Sequence, residues 1–312
     1  MAKRVLTITL NPTVDKSCEV ENIKPEKKLR CSQPLYEPGG GGINVSRGLS
    51  RLGVPSIAFF TSGGRTGKKL EELLGKEGIE VMAFDVAAET RENFIVVDSS
   101  NNEQYRFGMP GEEISNEEAD AMRDKLLNLS PFPDIVVISG SLPPGISPNY
   151  LRSLVKALKA KQARVVLDTS GEALSEAIEE GVYLLKPNLG ELSRLADMGD
   201  LDNESADEAA RQLIDEGKAR AVVVSMGPQG AYLVTGDDTI HVPAPSVKKR
   251  STVGAGDSMV AGMVAIMAES GSMADMVRMG VACGTAATMS KGTGLFTKED
   301  AEKLYKWLTK NI

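Results

Sequence analysis

The stretch Ser251-Thr252-Val253-Gly254-Ala255-Gly256-Asp257-Ser258 carries the residues best suited to chemistry in this 312-residue chain. Two glycines let a backbone turn sharply and approach a ligand with no side chain between. The small-residue helical pattern behind them, Met259 to Ala265, aims unpaired N–H groups and roughly half a unit of positive dipole charge at the same point. Asp257 stands at that helix start, where a carboxylate is expected to stay ionised at neutral pH. Backbone donors for developing negative charge, beside one acidic side chain, suit phosphoryl transfer to a hydroxyl with the carboxylate as general base. The same octapeptide also reads as an ordinary helix cap, because Asp commonly opens helices and Gly commonly precedes them.

Further candidates recur where strands should end, the place where ligands bind in open α/β sheets. Asn11 and Asp15 follow the first strand, and Gly39-Gly40-Gly41-Gly42-Ile43-Asn44 opens the first helix. Ser139-Gly140-Ser141 follows another strand, and Ser225-Met226-Gly227-Pro228-Gln229-Gly230 a third. The four glycines read either as a flexible loop or as backbone brought close to a ligand, with Asn44 offering a donor and an acceptor to sugar hydroxyls. Lys186-Pro187-Asn188-Leu189-Gly190-Glu191 has two readings as well. Asn and Glu three apart make a capping box, or they hold a hydrated Mg²⁺ near phosphates. Lys24, Lys27, Lys28, Arg30 and Arg91 coat a solvated strand or grip a sugar phosphate. Neither the P-loop nor the Gly-x-Gly-x-x-Gly pattern occurs.

Periodicity supplies the elements that must position these groups. Val5 to Leu10, Ser56 to Thr61, Ile135 to Ser139, Arg164 to Asp168, Tyr183 to Leu185 and Ala221 to Ser225 are short apolar strands. Helical patterns at 43–52, 68–76, 116–128, 148–161, 171–180 and 205–216 separate them or follow them, which indicates a mostly parallel sheet covered on both faces. Extended stretches at 18–20 and 29–36 have little apolar content and read as a separate small sheet, extended by a hairpin of 93–99 and 103–109 joined at Ser100-Asn101-Asn102, a lid built from segments near 16–38 and 90–110. An extended pair at 231–235 and 239–243 precedes helices near 257–269, 272–290 and 297–309. The expectation is one α/β domain over residues 1–312.

Bulk composition narrows the function. A net charge of −7 gives no support to nonspecific nucleic-acid binding, and no apolar run approaches the ~20 residues of a membrane span. Met1-Ala2-Lys3-Arg4 runs straight into a strand without the apolar region of a signal peptide. Cys18, Cys31 and Cys283 form no disulfide framework, so a reducing cytoplasm is expected. A single histidine, His241, disfavours histidine triads and His-rich zinc sites.

Two segments, Glu37-Pro38-Gly39-Gly40-Gly41-Gly42-Ile43-Asn44-Val45-Ser46-Arg47 and Ser251 to Ser258, resemble in this order the two signatures of the PfkB/ribokinase family of carbohydrate kinases. The resemblance runs from Leu6 to the last helix. KLRC at 28–31, QYRFGMPG at 104–111, SGSLPPG at 139–145, DTSGEAL at 168–174 and KPN at 186–188 resemble its phosphosugar branch, most of all its bacterial 6-phosphofructokinases. The resemblance implies a ribokinase-like α/β fold, with helices on both faces of the central sheet and a small β lid. It implies ATP-dependent phosphorylation of fructose 6-phosphate at its 1-hydroxyl. In that scheme Asp257 is the general base, and Gly254, Ala255 and Gly256 form the anion hole for the transferring group. Asp15, Gly39, Gly40, Gly41, Gly42, Asn44 and Ser139 contact the sugar, with Lys28, Arg30 and Arg91 around its phosphate. Lys186, Asn188, Ser225, Gly227, Gly230, Lys249 and Thr252 line the ATP site, and Glu191 helps position Mg²⁺. Ser251, Val253, Ala287, Ser290 and Gly292 match a monovalent-cation (K⁺) loop, although many relatives carry an acidic residue where Ser251 stands. Relatives commonly form homodimers through their lids. Fructose-1-phosphate and tagatose-6-phosphate kinases share several of these segments and stand as alternatives. A non-catalytic sugar-phosphate sensor is disfavoured by the retention of Asp257, Gly254 and Gly256.

Overall fold

A computed structural model describes residues 3–290, 292 and 294–312. In chain order, β1 (Val5–Thr9), β2 (Thr13–Val20) and β3 (Leu35–Gly39) precede α1 (Gly41–Leu52). Next come β4 (Ser56–Ser62), α2 (Gly64–Lys76), β5 (Glu80–Asp85), β6 (Arg91–Asp98) and β7 (Glu103–Phe107). Alternation then becomes regular, with α3 (Asn116–Leu127), β8 (Ile135–Ser139), α4 (Pro148–Ala160), β9 (Arg164–Asp168), α5 (Gly171–Ile178) and β10 (Val182–Leu185). After α6 (Leu189–Leu195) and α7 (Asn203–Asp215) come β11 (Ala219–Ser225), β12 (Ala231–Thr235) and β13 (Thr239–Val242). Helices α8 (Ala255–Ala268), α9 (Met273–Thr288) and α10 (Lys298–Asn311) follow.

The large sheet has the order β13-β12-β11-β10-β9-β8-β1-β4-β5. It is parallel from β5 through β11, and β12 and β13 are antiparallel. Strands β1 and β8 are buried at every residue because helices cover both faces, and successive side chains therefore enter different cores. Leu6 and Ile8 belong to one apolar core, which runs through Met122 and Leu154 as far as Leu213. Val5 belongs to the other, together with Val45, Val264 and Val277. The strand order reverses beside β1, so the crevice between β1 and β8 is a topological switch point, where ligands collect.

Helix α8 is buried without a break from Ser258 to Ala265, as expected of a helix apolar all round. Small residues let its neighbours come close: a Cβ on Gly262 would lie 2.5 Å from the carbonyl oxygen of Met279. The helix that carries Asp257 is therefore fixed on every side.

A second sheet, β3-β2-β6-β7, stands apart. Its outer pairs are antiparallel and β2 runs parallel to β6. The expected strand at 29–36 forms only from Leu35. Residues 21–34 are irregular, with Asn22 and Glu26 at positive φ (62° and 58°). The carboxylate of Asp98 accepts from the N–H groups of Asn22 and Ile23, and Pro25 and Pro34 have no N–H to give a ladder. Two helices start earlier than their apolar pattern indicates, α1 at Gly41 and α2 at Gly64, since glycine openings carry no periodic signal. Among the described residues, no helix is long and apolar enough to cross a membrane.

Candidate active site

Asp257 lies in the first turn of α8, but it is not the cap. The N-cap is Gly254, in the left-handed region at φ 70°, and no side chain caps the helix. Its positive φ is what favours glycine there, and a Cβ at Gly254 would also press on the Leu295 methyl at 2.8 Å. The Asp257 carboxylate instead accepts from Asn44 Nδ2 of α1 at 2.9 Å. Asn44 is itself oriented, because its Oδ1 accepts from Arg47 at 3.1 Å. Arg47, 3% exposed, forms a forked pair with Glu77 (2.8 Å) and donates to the Pro38 carbonyl (3.0 Å). The Asp257 carboxylate is thus held by a chain of hydrogen bonds that begins one turn beyond the glycine run.

The glycine run is not a loose loop. α1 begins inside it, and a Cβ on Gly42 would lie 2.6 Å from both the Ile8 carbonyl and Thr9 Oγ1. One on Gly41 would collide with Ser139 Oγ. Thr9 Oγ1 accepts from the N–H of Ile43 at 2.8 Å, which pins the helix start to the end of β1. Gly39 leaves room for Asp15, whose Oδ2 would be 2.7 Å from a Cβ there. Asp15 faces Asn93 across β2 and β6 and accepts from its amide at 3.0 Å. Burial pushes the Asp15 carboxyl above its usual range, against that hydrogen bond.

On the other side of Asp257 sits Lys186, paired with Asp168 at 3.0 Å. Its ammonium is 3.8 Å from where a Gly256 Cβ would stand, so it borders the first turn of α8. Burial works against the Lys186 charge, but Asp168, Glu191 and Asp257 together hold its pKa above the ordinary value. The expectation that Asp257 stays ionised at neutral pH is kept, but with a narrower margin than a helix start suggests. Burial, reinforced by Asp168, pushes its pKa up to about 6, despite Asn44 and Lys186. A carboxylate poised there is still mostly charged at neutral pH, as general-base work at that pH requires. The rate should therefore be full above pH 7 and fall tenfold per pH unit well below pH 6, as the carboxylate takes up its proton. A profile of kcat/KM against pH that stays flat to pH 5 would contradict this.

Beyond the first turn of α8 opens a cleft of about 480 Å³. It brings together Ser225, Gly227, Gly230, Lys249 and Thr252 with Ala255 and Gly256. The Ser225 N–H donates to Pro187 O at 2.9 Å, setting the Lys186–Glu191 turn beside the cleft. Within that turn the cap reading holds: Glu191 Oε2 accepts from Asn188 N, and Asn188 Oδ1 from Glu191 N, both at 2.9 Å. Asn188 and Glu191 thus start α6, and Glu191 also acts on Lys186 through its charge.

The five residues of the expected cation loop also converge. Ser251 Oγ donates to Gly292 O at 2.9 Å, and the Ser251 N–H to Thr288 O at 3.2 Å. Val253 N donates to Ser251 Oγ, and Ser290 N to Ala287 O. These residues offer hydroxyl and carbonyl oxygens, the donors that a weakly held monovalent cation takes, and the Glu37 carboxylate lies 4.0 Å from where a Gly292 Cβ would stand.

The expected phosphate cations are not gathered in the same way. Lys28 and Arg30 are exposed on the 21–34 loop and make no hydrogen bond or ion pair among the described residues. Arg91 donates to the carbonyls of Met109 (2.6 Å) and Asn11 (2.9 Å), tying the small sheet to the end of β1. It lines a cleft of about 520 Å³ with Asn11 and Ser141. Sequence reasoning missed three contributors: Asp168, Arg47 and Glu77. Asp168 had a legible signal, since it ends β9 directly beside Ser139 of β8. Arg47 closes the first signature segment, which gives it no role by itself, and Glu77 had no signal, because their pairing spans 30 residues.

A family model described as pfkB family carbohydrate kinase matches residues 5–300. The ATP-dependent 6-phosphofructokinase isozyme 2 of Escherichia coli strain K12 is 43% identical over 308 residues, covering 98% of this chain and 99% of that protein. The 1-phosphofructokinase of Bacillus subtilis strain 168 is 35% identical over 300 residues, covering 96% and 97%. Phosphofructokinase-2 from Escherichia coli, solved in complex with potassium, superimposes with a TM-score of 0.95 at 43% identity, covering 98% and 99%. Its complex with fructose-6-phosphate superimposes with a TM-score of 0.93 at 42% identity over the same shares.

Proposed function

The chain belongs to the pfkB family of carbohydrate kinases, and we propose that it is an ATP-dependent 6-phosphofructokinase of ribokinase-like fold. It transfers the γ-phosphoryl group of ATP to the 1-hydroxyl of fructose 6-phosphate, a step of glycolysis. One observation carries the reading: Asp257, oriented by Asn44, shares the first turn of α8 with the residues that open the nucleotide cleft. The likeness over nearly the whole chain to a 6-phosphofructokinase and to its fructose-6-phosphate complex supports the substrate.

In this reading Asp257 takes the proton from the attacking hydroxyl. The N–H groups of the α8 first turn, left without intrahelical partners, hold the phosphoryl oxygens as negative charge moves onto them. Lys186 adds positive charge at the same place, and Asp15 and the backbone at Gly39–Gly42 fix the sugar. Mg²⁺ would neutralise ATP phosphate charge, keeping most of its waters, with Glu191 as the nearby protein carboxylate. K⁺ would sit among the oxygens of Ser251, Val253, Ala287, Ser290 and Gly292, and the potassium complex of the Escherichia coli relative supports this.

The small sheet reads as a lid over the sugar. Leu35, Tyr105, Phe107 and Met109 lie exposed on or next to it, which supports a homodimer formed lid against lid, since such apolar patches mark association sites. Unpaired Cys18, Cys31 and Cys283 support a cytoplasmic setting. A coupled ADP-release assay with Mg-ATP tests the substrate. Fructose 6-phosphate should give the highest kcat/KM among fructose 6-phosphate, fructose 1-phosphate, tagatose 6-phosphate, fructose and ribose. Preference for fructose 1-phosphate or tagatose 6-phosphate would move the chain to a sister activity, and preference for an unphosphorylated sugar would remove the role of the lid cations. In the same assay Arg30→Ala should raise KM for the sugar phosphate by about tenfold with KM for ATP unchanged. Equal effects on both substrates would contradict that role.

A further inference from the structure

At the edge of the large sheet opposite the catalytic crevice, β9, β10 and β11 begin around a cleft of about 410 Å³. Its floor includes Gly181 and Gly217, and its walls carry Lys159, Arg164, Tyr183 and Arg220. The guanidinium carbons of Arg164 and Arg220 lie 4.9 and 5.4 Å from the centre of the Tyr183 ring. Neither guanidinium forms an ion pair or hydrogen bond among the described residues. The carboxylates nearby are committed elsewhere: Glu180 to Arg152 at 3.0 Å, Glu179 to Lys218 at 3.5 Å, and Asp134 to the Arg4 N–H at 2.8 Å. Lys159 spends one ammonium hydrogen on the Glu180 carbonyl and has two more. The crowding reaches Lys3, whose pKa is lowered by burial and then by the Arg164 charge.

Three cations beside one another, two of them guanidinium groups without an ion-pair partner among the described residues, make a locally positive patch that attracts a small anion. Stacking on Tyr183 holds both guanidinium groups in place, and a fixed guanidinium fork matches phosphate oxygens two at a time. We propose that this cleft is a second, non-catalytic binding site for a small phosphate-bearing molecule, held by Arg164, Arg220 and Lys159. It shares no residue with the catalytic crevice, although the same three strands lead to Asp168, Lys186 and Ser225 at their other ends.

Hydrogen exchange on the full chain, with inorganic pyrophosphate as probe and ionic strength matched with sodium chloride, tests the proposal. Pyrophosphate should slow exchange in residues 159–165, 180–183 and 217–220. Arg164→Gln combined with Arg220→Gln should abolish that protection and weaken the site at least about tenfold, with unchanged kcat when pyrophosphate is absent. A control with Lys303→Gln and Lys306→Gln, which removes the same charge from α10, should keep the protection. Protection confined to residues 225–230 and 252–256, protection that survives the arginine substitutions, or equal loss in the control would each overturn the site. Equal protection by citrate would overturn its assignment to phosphate.

Discussion

Replacing Asp257 by Asn is expected to lower kcat by about 10²–10⁴-fold, the usual worth of a positioned general base, while the affinity for ATP stays near its wild-type value. The substitution keeps the volume and the position on α8, so the cleft lined by Ser225, Lys249 and Thr252 is undisturbed. What is lost is the ability to take a proton from the attacking hydroxyl. The residual rate measures what the α8 N–H groups and Lys186 contribute without a base. The pH profile supplies a second reading: the acid limb near pH 6, assigned to Asp257, should vanish from the variant. A kcat within tenfold of wild type, with the limb retained, would move the base elsewhere.

The other large effect is expected from a single methyl group. Gly42→Ala introduces no strain in φ, but its Cβ meets the Ile8 carbonyl at 2.6 Å and Thr9 Oγ1 at the same distance. The carbonyl belongs to the buried central strand β1 and cannot rotate away, so α1 must move. Overpacking of this kind costs about 1–3 kcal/mol, visible as a lower midpoint in denaturant. Asn44 rides on the same helix two residues on, and a shift near 1 Å in a catalytic group can cost about 10²-fold. The variant should therefore fold, with reduced stability and a kcat reduced by about that factor. Gly75→Ala in α2, with nothing within 4 Å of its new Cβ, is the control that should leave kcat unchanged and raise stability slightly, by about 0.5–1 kcal/mol. Full activity in Gly42→Ala would show that the Asn44–Asp257 contact does not position the base.

Much of this was legible in the chain because local chemistry announces itself. Continuous apolar strands with helical spacers gave the parallel sheet, and the glycine runs marked two helix starts that face one crevice. The cap question shows where local reading stops. Asn188 with Glu191 and Gly254 with Asp257 are both cap-like in sequence. Only the first pair makes the reciprocal bonds, whereas Asp257 bonds across 213 residues to Asn44. The same limit hides the Arg47–Glu77 fork and the Lys186–Asp168 pair, whose members meet only when neighbouring elements dock. Burial had no local signal either, so the upward shift of Asp257 could not be read from its place at a helix start. Residues 29–34 read as extended but form no strand. Their mostly polar sequence, ended by Pro34, has too little apolar surface to pay for ordering into a ladder.

The central claim is that Asp257 and the first turn of α8 deliver the γ-phosphoryl group of ATP to the 1-hydroxyl of fructose 6-phosphate. Phosphorus NMR of a reaction with Mg-ATP and fructose 6-phosphate measures this directly. The wild-type chain should convert the sugar monophosphate to a bisphosphate carrying its new ester on carbon 1, in step with ADP, and Asp257→Asn should not. ADP released with inorganic phosphate while the sugar remains a monophosphate, or a new ester on any other carbon, would contradict the account.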